Sequence, residues 1–65
     1  MTPMEALAFL QEVDPTIAYV EHDEVFGSYG RCNKHQYWAF NEHRAFNGET
    51  WEDLIREVSE EVNAA

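Results

Sequence analysis

The sequence predicts a small α+β domain of order α-β-β-β-α, in which two helices pack on one face of a three-stranded antiparallel sheet. Three observations support this prediction. Each end of the chain combines a helix-capping pattern with an apolar stripe of helical period, and a segment rich in β-branched and aromatic residues lies between them. Because a chain of 65 residues can build only one core, residues 1–65 are expected to form a single domain.

The first helix is predicted to run from Pro3 to about Val13. Thr2 is a suitable N-cap, Pro3 suits the first helical position, and Glu5 lies where a capping box requires a carboxylate. Pro15 disfavours helical conformation in the residue before it and so ends the helix. The buried stripe is predicted to contain Ala6, Phe9, Leu10 and Val13, with Met4 and Leu7 at its margins.

The middle of the chain is predicted to form the sheet. The run from Thr16 to Val20 is apolar without alternation, which favours a central strand. The polar residues 21–24 are predicted to form either a turn or the exposed end of a hairpin. A second strand is expected over Val25–Tyr29, with Gly27 at a bulge and Gly30 at the strand exit.

A turn over residues 31–34 is predicted to lead into the third strand. This strand is expected from Gln36 to Phe40, with a continuation to Phe46 through a kink. The pair Asn47-Gly48 is predicted to break it.

The second helix has the clearest pattern in the chain. Thr50 and Asp53 repeat the capping-box spacing. Apolar residues then follow the helical period at Trp51, Leu54, Ile55, Val58 and Val62. This stripe predicts that one side of the helix packs against the sheet.

The charge of the chain limits its partners. Asp and Glu number 13 against four Lys and Arg, which gives a formal net charge of -9. Such a field repels DNA, RNA and anionic lipids, so neither direct nucleic-acid binding nor membrane binding is expected.

The single Cys32 cannot form an internal disulfide, and no segment approaches the roughly 20 apolar residues of a membrane span. A soluble, cytoplasmic protein in a reducing compartment is therefore expected.

Histidine and cysteine residues raise the question of a metal site. Cys32 and His35 have the spacing C-x2-H, and His22 and His43 lie in neighbouring polar segments. These four side chains could hold zinc, which leaves a zinc-dependent domain as a third hypothesis. Their spacing matches no common structural zinc pattern, however, and surface histidines beside a half-buried thiol explain it as well. We predict no metal and no cofactor.

Catalytic patterns are weak. His35, Asn41 and His43 occur in the order of a His-Asn-His nuclease, but the break at residues 47–48 separates His43 from the helix that should carry it. Cys32 and His35 are the residue types of a thiol enzyme, yet a chain of this size has little material for a substrate pocket. No catalytic residue and no enzymatic activity are predicted.

The carboxylates are the candidate partner-binding residues. Helical carboxylates three or four positions apart have Cβ atoms about 5–6 Å apart, similar to the spacing of phosphates along a nucleic acid. An acidic helix face can therefore contact rows of Lys and Arg, although solvated charges that only keep the protein soluble are the alternative. The predicted set is Asp23, Glu24, Glu49, Glu52, Asp53, Glu57, Glu60 and Glu61.

Aromatic residues offer a second surface. Tyr37 and Trp38 are neighbours in a strand, so one of them must point away from the helices. With Tyr29 it could form an exposed aromatic patch for a protein partner. Alternatively, the exposed ring merely covers a thin second face of the sheet.

In length, acidity and lack of catalytic motifs, the chain resembles the small inhibitors made by phages and other mobile elements, anti-CRISPR proteins in particular. The resemblance is to a class and to no motif, so no residue is carried over from it. It implies a stoichiometric blocker that binds a host defence complex and denies it target DNA, in several members as a DNA mimic.

The expected function is thus a non-enzymatic anti-defence inhibitor. It binds a basic, DNA-binding surface of a host CRISPR effector complex through an acidic face, as a monomer or weak homodimer. The alternative is an antitoxin or regulatory adaptor that binds one protein partner through an exposed aromatic sheet face. The salt dependence of partner binding distinguishes the two hypotheses, because ions screen an acidic interface and leave an aromatic interface largely unchanged.

Overall fold

The computed structural model describes residues 1–26, 30 and 32–64. Helix α1 spans Pro3–Val13 and helix α2 spans Trp51–Ala64. Between them lie strands β1 (Tyr19–Phe26), β2 (Cys32–Phe40) and β3 (Ala45–Gly48), paired antiparallel in the order β1-β2-β3. The predicted α+β class and the α-β-β-β-α order are confirmed.

Both helices cover the same face of the sheet. Val20, Ala39 and Phe46 are register partners across the three strands, so their side chains share that face. Leu10 of α1 and Leu54 of α2 lie in one buried cluster with Ala39 and Phe46. The other face carries no element of the described part of the chain.

The core is small, which makes each of its side chains important. The buried residues are Ala6, Leu10, Ile17, Ala39, Phe46, Trp51, Leu54 and Val58. The predicted stripe of α2 is confirmed at Trp51, Leu54 and Val58 and was wrong at Val62, which is 41% exposed near the end of the helix. The inclusion of Phe9 in the α1 stripe was also wrong, because this side chain is 53% exposed. Phe9 lies about 100° around the helix from the buried Leu10, outside the sector that meets the sheet and α2.

The first predicted strand differs from β1 in position and extent. The Asp14 side chain accepts hydrogen bonds from the Thr16 backbone N–H (3.0 Å) and hydroxyl (2.6 Å), and this turn delays the strand to Tyr19. The strand then continues through residues 21–24, where a turn was one of the two expectations. The prediction of a central strand was wrong, because β1 is an edge strand. Pairing with β2 holds these polar residues extended, and their charges oppose further pairing at the edge.

The second predicted strand and the turn after it also change. Val25 and Phe26 end β1, with a shift in register between them, whereas residues 27–29 lie outside the described residues. The prediction of a turn over residues 31–34 was wrong for Cys32 to Lys34, because these residues belong to β2. Gly30 has φ of +72°, a left-handed conformation that glycine adopts without strain.

The third predicted strand is two strands joined by a turn. The side-chain oxygen of Asn41 accepts hydrogen bonds from the backbone N–H groups of His43 and Arg44, both at 2.8 Å. This side chain therefore bends the chain where a kink was expected. Asn47 and Gly48 do not break a strand, because they pair with β2 as part of β3.

The turn at Asp14 makes stability depend on pH. Hydrogen bonds from Thr16, first from its hydroxyl and then from its N–H, lower the pKa of the Asp14 carboxyl below its ordinary value. Because the pKa of this carboxyl is lower in the folded than in the unfolded chain, the ionised carboxylate stabilises the fold above about pH 4. This stabilisation is lost as the pH falls through the folded-state pKa. We expect Thr16→Val to lower the free energy of unfolding at pH 7 and to have little effect at pH 2, whereas Thr16→Ser retains the wild-type profile. Urea denaturation between pH 2 and pH 7 measures the free energy of unfolding of each variant. A loss of stability in Thr16→Val that is the same at every pH would contradict the assignment of the Asp14 pKa shift to Thr16.

Candidate functional site

The predicted acidic residues are distributed over three surfaces. Asp23 and Glu24 are consecutive residues of β1, so they point to opposite faces of the sheet. Glu49 directly precedes α2. The remaining predicted residues, Glu52, Asp53, Glu57, Glu60 and Glu61, all lie on α2. The structure therefore brings the set together around α2, except for the two residues of β1.

Two of the α2 carboxylates already have arginine partners. Asp53 pairs with Arg56, three residues along the same helix. Glu61 pairs with Arg44 at 2.8 Å, and the Arg44 guanidinium also lies 4.4 Å from the centroid of the Phe46 ring. Arg44 thus fastens the second half of α2 to the start of β3, a role that no sequence pattern indicated.

The remaining α2 carboxylates form what we call the α2 acidic face, namely Glu52, Glu57 and Glu60. All three are exposed, and none forms an ion pair with a described residue. Glu57 and Glu60 are three positions apart, which places their Cβ atoms about 5–6 Å from each other. The face therefore offers unneutralised negative charge on a helix whose buried side is anchored in the core.

The uncovered face of the sheet is aromatic. The rings of Tyr19 and Phe40 stack at 4.7 Å between centroids, and Trp38 lies 6.2 Å from Phe40. We call these three residues the open aromatic face. One of the neighbours Tyr37 and Trp38 was expected to point away from the helices, and this residue is Trp38. Tyr37 packs on Trp51 at 4.4 Å between ring centroids. The expected companion Tyr29 lies outside the described residues.

Polar groups accompany these rings. The indole Nε1 of Trp38 is enclosed and has no hydrogen-bond partner among the residues that the structure describes. Glu21 is the register partner of Trp38, and Asp23 lies two residues further along the same face of β1. Carboxylates thus border the open aromatic face on the β1 side.

A cluster of possible metal ligands lies on β1 and β2, on the helix-bearing face of the sheet. His22, Glu24 and His35 each offer one ligand atom, and these atoms lie within 4.8 Å of one another. We call these residues the histidine cluster. Of the four side chains considered for zinc, the structure thus joins His22 and His35, while His43 lies in the β2–β3 turn, 3.5 Å from a carboxylate oxygen of Glu42.

Comparison of the chain with protein-family models, with curated proteins and with solved structures gave no significant match. Neither of the helices described above combines the length and apolar character needed to cross a bilayer. Residues 1–26, 30 and 32–64 enclose no pocket.

Proposed function

We propose that this protein is a non-enzymatic inhibitor of the anti-CRISPR class, which binds a basic, DNA-binding surface of a host CRISPR effector complex and blocks its access to target DNA. The observation that carries the proposal is the α2 acidic face. Its three carboxylates are exposed and have no ion-pair partner among the described residues, in a protein of net charge -9.

Placement on α2 gives this charge a fixed geometry. Trp51, Leu54 and Val58 anchor the helix in the core, and the half-exposed Arg44–Glu61 ion pair adds a surface contact from its second half to the start of β3. Little conformational freedom is therefore lost when a partner binds the outer side. The field of the whole protein also attracts a basic surface and accelerates encounter with it. A surface that normally holds DNA has both the charge and the spacing to accept these carboxylates.

The test compares two variants that remove equal charge from different surfaces. Glu57→Gln/Glu60→Gln removes two carboxylates of the α2 acidic face, and Glu12→Gln/Glu42→Gln removes two exposed carboxylates elsewhere. We expect the first variant to bind its partner at least ~10-fold more weakly, because removing one member of a buried, hydrogen-bonded charge pair at an interface costs about 2–5 kcal/mol. The second should bind nearly as tightly as the wild type. Glu61 stays unchanged because its substitution would also break the ion pair with Arg44.

Partners are captured on the immobilised wild-type chain from bacterial extract and identified, and affinities are then measured with the purified partner. Capture of a CRISPR effector complex that duplex DNA displaces supports the proposal. Equal loss of binding in both variants would mean that only net charge matters, and full binding by Glu57→Gln/Glu60→Gln would place the interface elsewhere.

The second candidate is an antitoxin or regulatory adaptor that binds its partner through the open aromatic face. The stacked rings of Tyr19, Phe40 and Trp38 favour it, since Tyr19 is 49% exposed although it stacks on Phe40. In the same capture experiment, this candidate requires a complex that resists both duplex DNA and high salt and that Tyr19→Ala weakens.

A further inference from the structure

We propose that the histidine cluster of His22, Glu24 and His35 is a binding site for a divalent transition-metal ion, with Zn²⁺ as the ion that best fits its donors. This proposal neither uses the α2 acidic face nor depends on the function proposed above. It also revises the sequence-based prediction that the protein has no metal.

Strand pairing fixes the positions of the three side chains. Glu24 and His35 are register partners, and His22 is two residues before Glu24 on the same face of β1. Directly paired residues in antiparallel strands have Cβ atoms about 4.5–5.5 Å apart, and diagonal neighbours lie within reach of long side chains. The three side chains therefore converge because backbone hydrogen bonds between β1 and β2 set their register.

The distances are close to those of a coordination sphere. The Nε2 atom of His22 lies 2.8 Å from Nδ1 of His35. Two nitrogens bound to one tetrahedral Zn²⁺ at about 2.0–2.1 Å lie roughly 3.3 Å apart, so the pair must open by about 0.5 Å to admit the ion. All three side chains are exposed, which lets the carboxylate approach by rotation about its own bonds.

Coordination also needs a free electron pair on both nitrogens. In the hydrogen-bonded pair, one of the two nitrogens carries the proton. That imidazole can move its proton to its other ring nitrogen, after which both facing nitrogens are unprotonated and no proton is lost from the pair. Neutral imidazole is the form of histidine that binds metals.

Neighbouring rings hold the orientation of His22. Its ring stacks on Tyr37 at 4.3 Å with an angle of 5° between the planes, and Tyr37 packs in turn on the buried Trp51. This chain of rings connects the exposed cluster to the core. A ligand that is already oriented loses less freedom on binding, which favours occupancy by a metal.

The donor set selects the class of ion. Two imidazole nitrogens and one carboxylate oxygen suit Zn²⁺ and its neighbours in the first transition row, whereas Mg²⁺ and Ca²⁺ prefer sites made of oxygen alone. Three protein ligands leave a further position for water or for a group from a partner.

The experiment titrates untagged, metal-free protein with Zn²⁺ by isothermal calorimetry. We expect saturable binding of one ion per chain that excess Mg²⁺ does not displace. His22→Gln and His35→Gln should each weaken binding at least ~10-fold, the lower end of the loss seen when even supporting residues of a metal site are removed. His43→Gln is the matched control, because His43 is also an exposed histidine beside a carboxylate and lies outside the cluster.

Three results would overturn the proposal. The first is that the wild type shows no saturable Zn²⁺ binding. The second is that His43→Gln weakens Zn²⁺ binding as much as His35→Gln does. The third is that Cys32→Ser abolishes Zn²⁺ binding while the His22 and His35 variants retain it. Circular dichroism checks that each variant is folded. A second measurement needs no variant, because Zn²⁺ should shift the ring NMR signals of His22 and His35 in the wild-type chain and leave those of His43 in place.

Discussion

Gly48→Ala is expected to lower the free energy of unfolding by at least ~3 kcal/mol, the upper end of the usual effect of overpacking. A Cβ atom at this position would lie 2.6 Å from the Leu54 backbone nitrogen and 2.9 Å from its Cα. Both are backbone atoms of α2, so no side chain can move aside to relieve the clash. The helix itself must shift away from β3, and the buried Leu54 side chain would shift with it.

Gly30→Ala is the matched control, because the two glycines differ in what surrounds them. Among the described residues, no atom lies within 4 Å of a Cβ built on Gly30, but the residue has φ of +72°. The cost there is conformational and amounts to about 1–2 kcal/mol. Urea denaturation followed by circular dichroism compares the two variants. A Gly48→Ala effect no larger than that of Gly30→Ala would refute the close approach of β3 and α2.

Trp51→Ala is expected to cost about 3–5 kcal/mol, the range for truncation of a buried aromatic residue. Trp51 is 7% exposed, begins α2 and packs on Tyr37 at 4.4 Å between ring centroids. A single core in a domain of this size rarely supplies more than about 3–5 kcal/mol of net stability. Most of the variant protein should therefore be unfolded at 25 °C, and a chemical denaturation curve should lack a folded baseline.

The other tryptophan provides the comparison for this prediction. Trp38 lies on the open aromatic face and is only partly buried, so Trp38→Ala removes less buried apolar area and should leave the protein folded. Trp51→Phe should retain most of the stability, because a ring still fills the site. Equal losses in Trp51→Ala and Trp38→Ala would mean that the two faces of the sheet contribute equally to the core.

The sequence predicted the helices far better than the strands. Thr2 and Glu5 form the expected capping box, with hydrogen bonds in both directions. These contacts depend only on residues within one turn of each other. The edge strand β1 contains the polar residues 21–24, which have no strand pattern of their own, and they become extended because β2 supplies their hydrogen bonds.

The candidate sites also divide into features that the local sequence sets and features that tertiary contacts set. The sequence by itself determined the net charge, the acidic outer side of α2 and the fact that Tyr37 and Trp38 face opposite ways, since these follow from composition and local period. Only the tertiary structure decided that Glu61 is held by Arg44, that Gly48 touches α2 and that His22, Glu24 and His35 converge. Those contacts depend on strand register and helix packing, which join residues far apart in the chain.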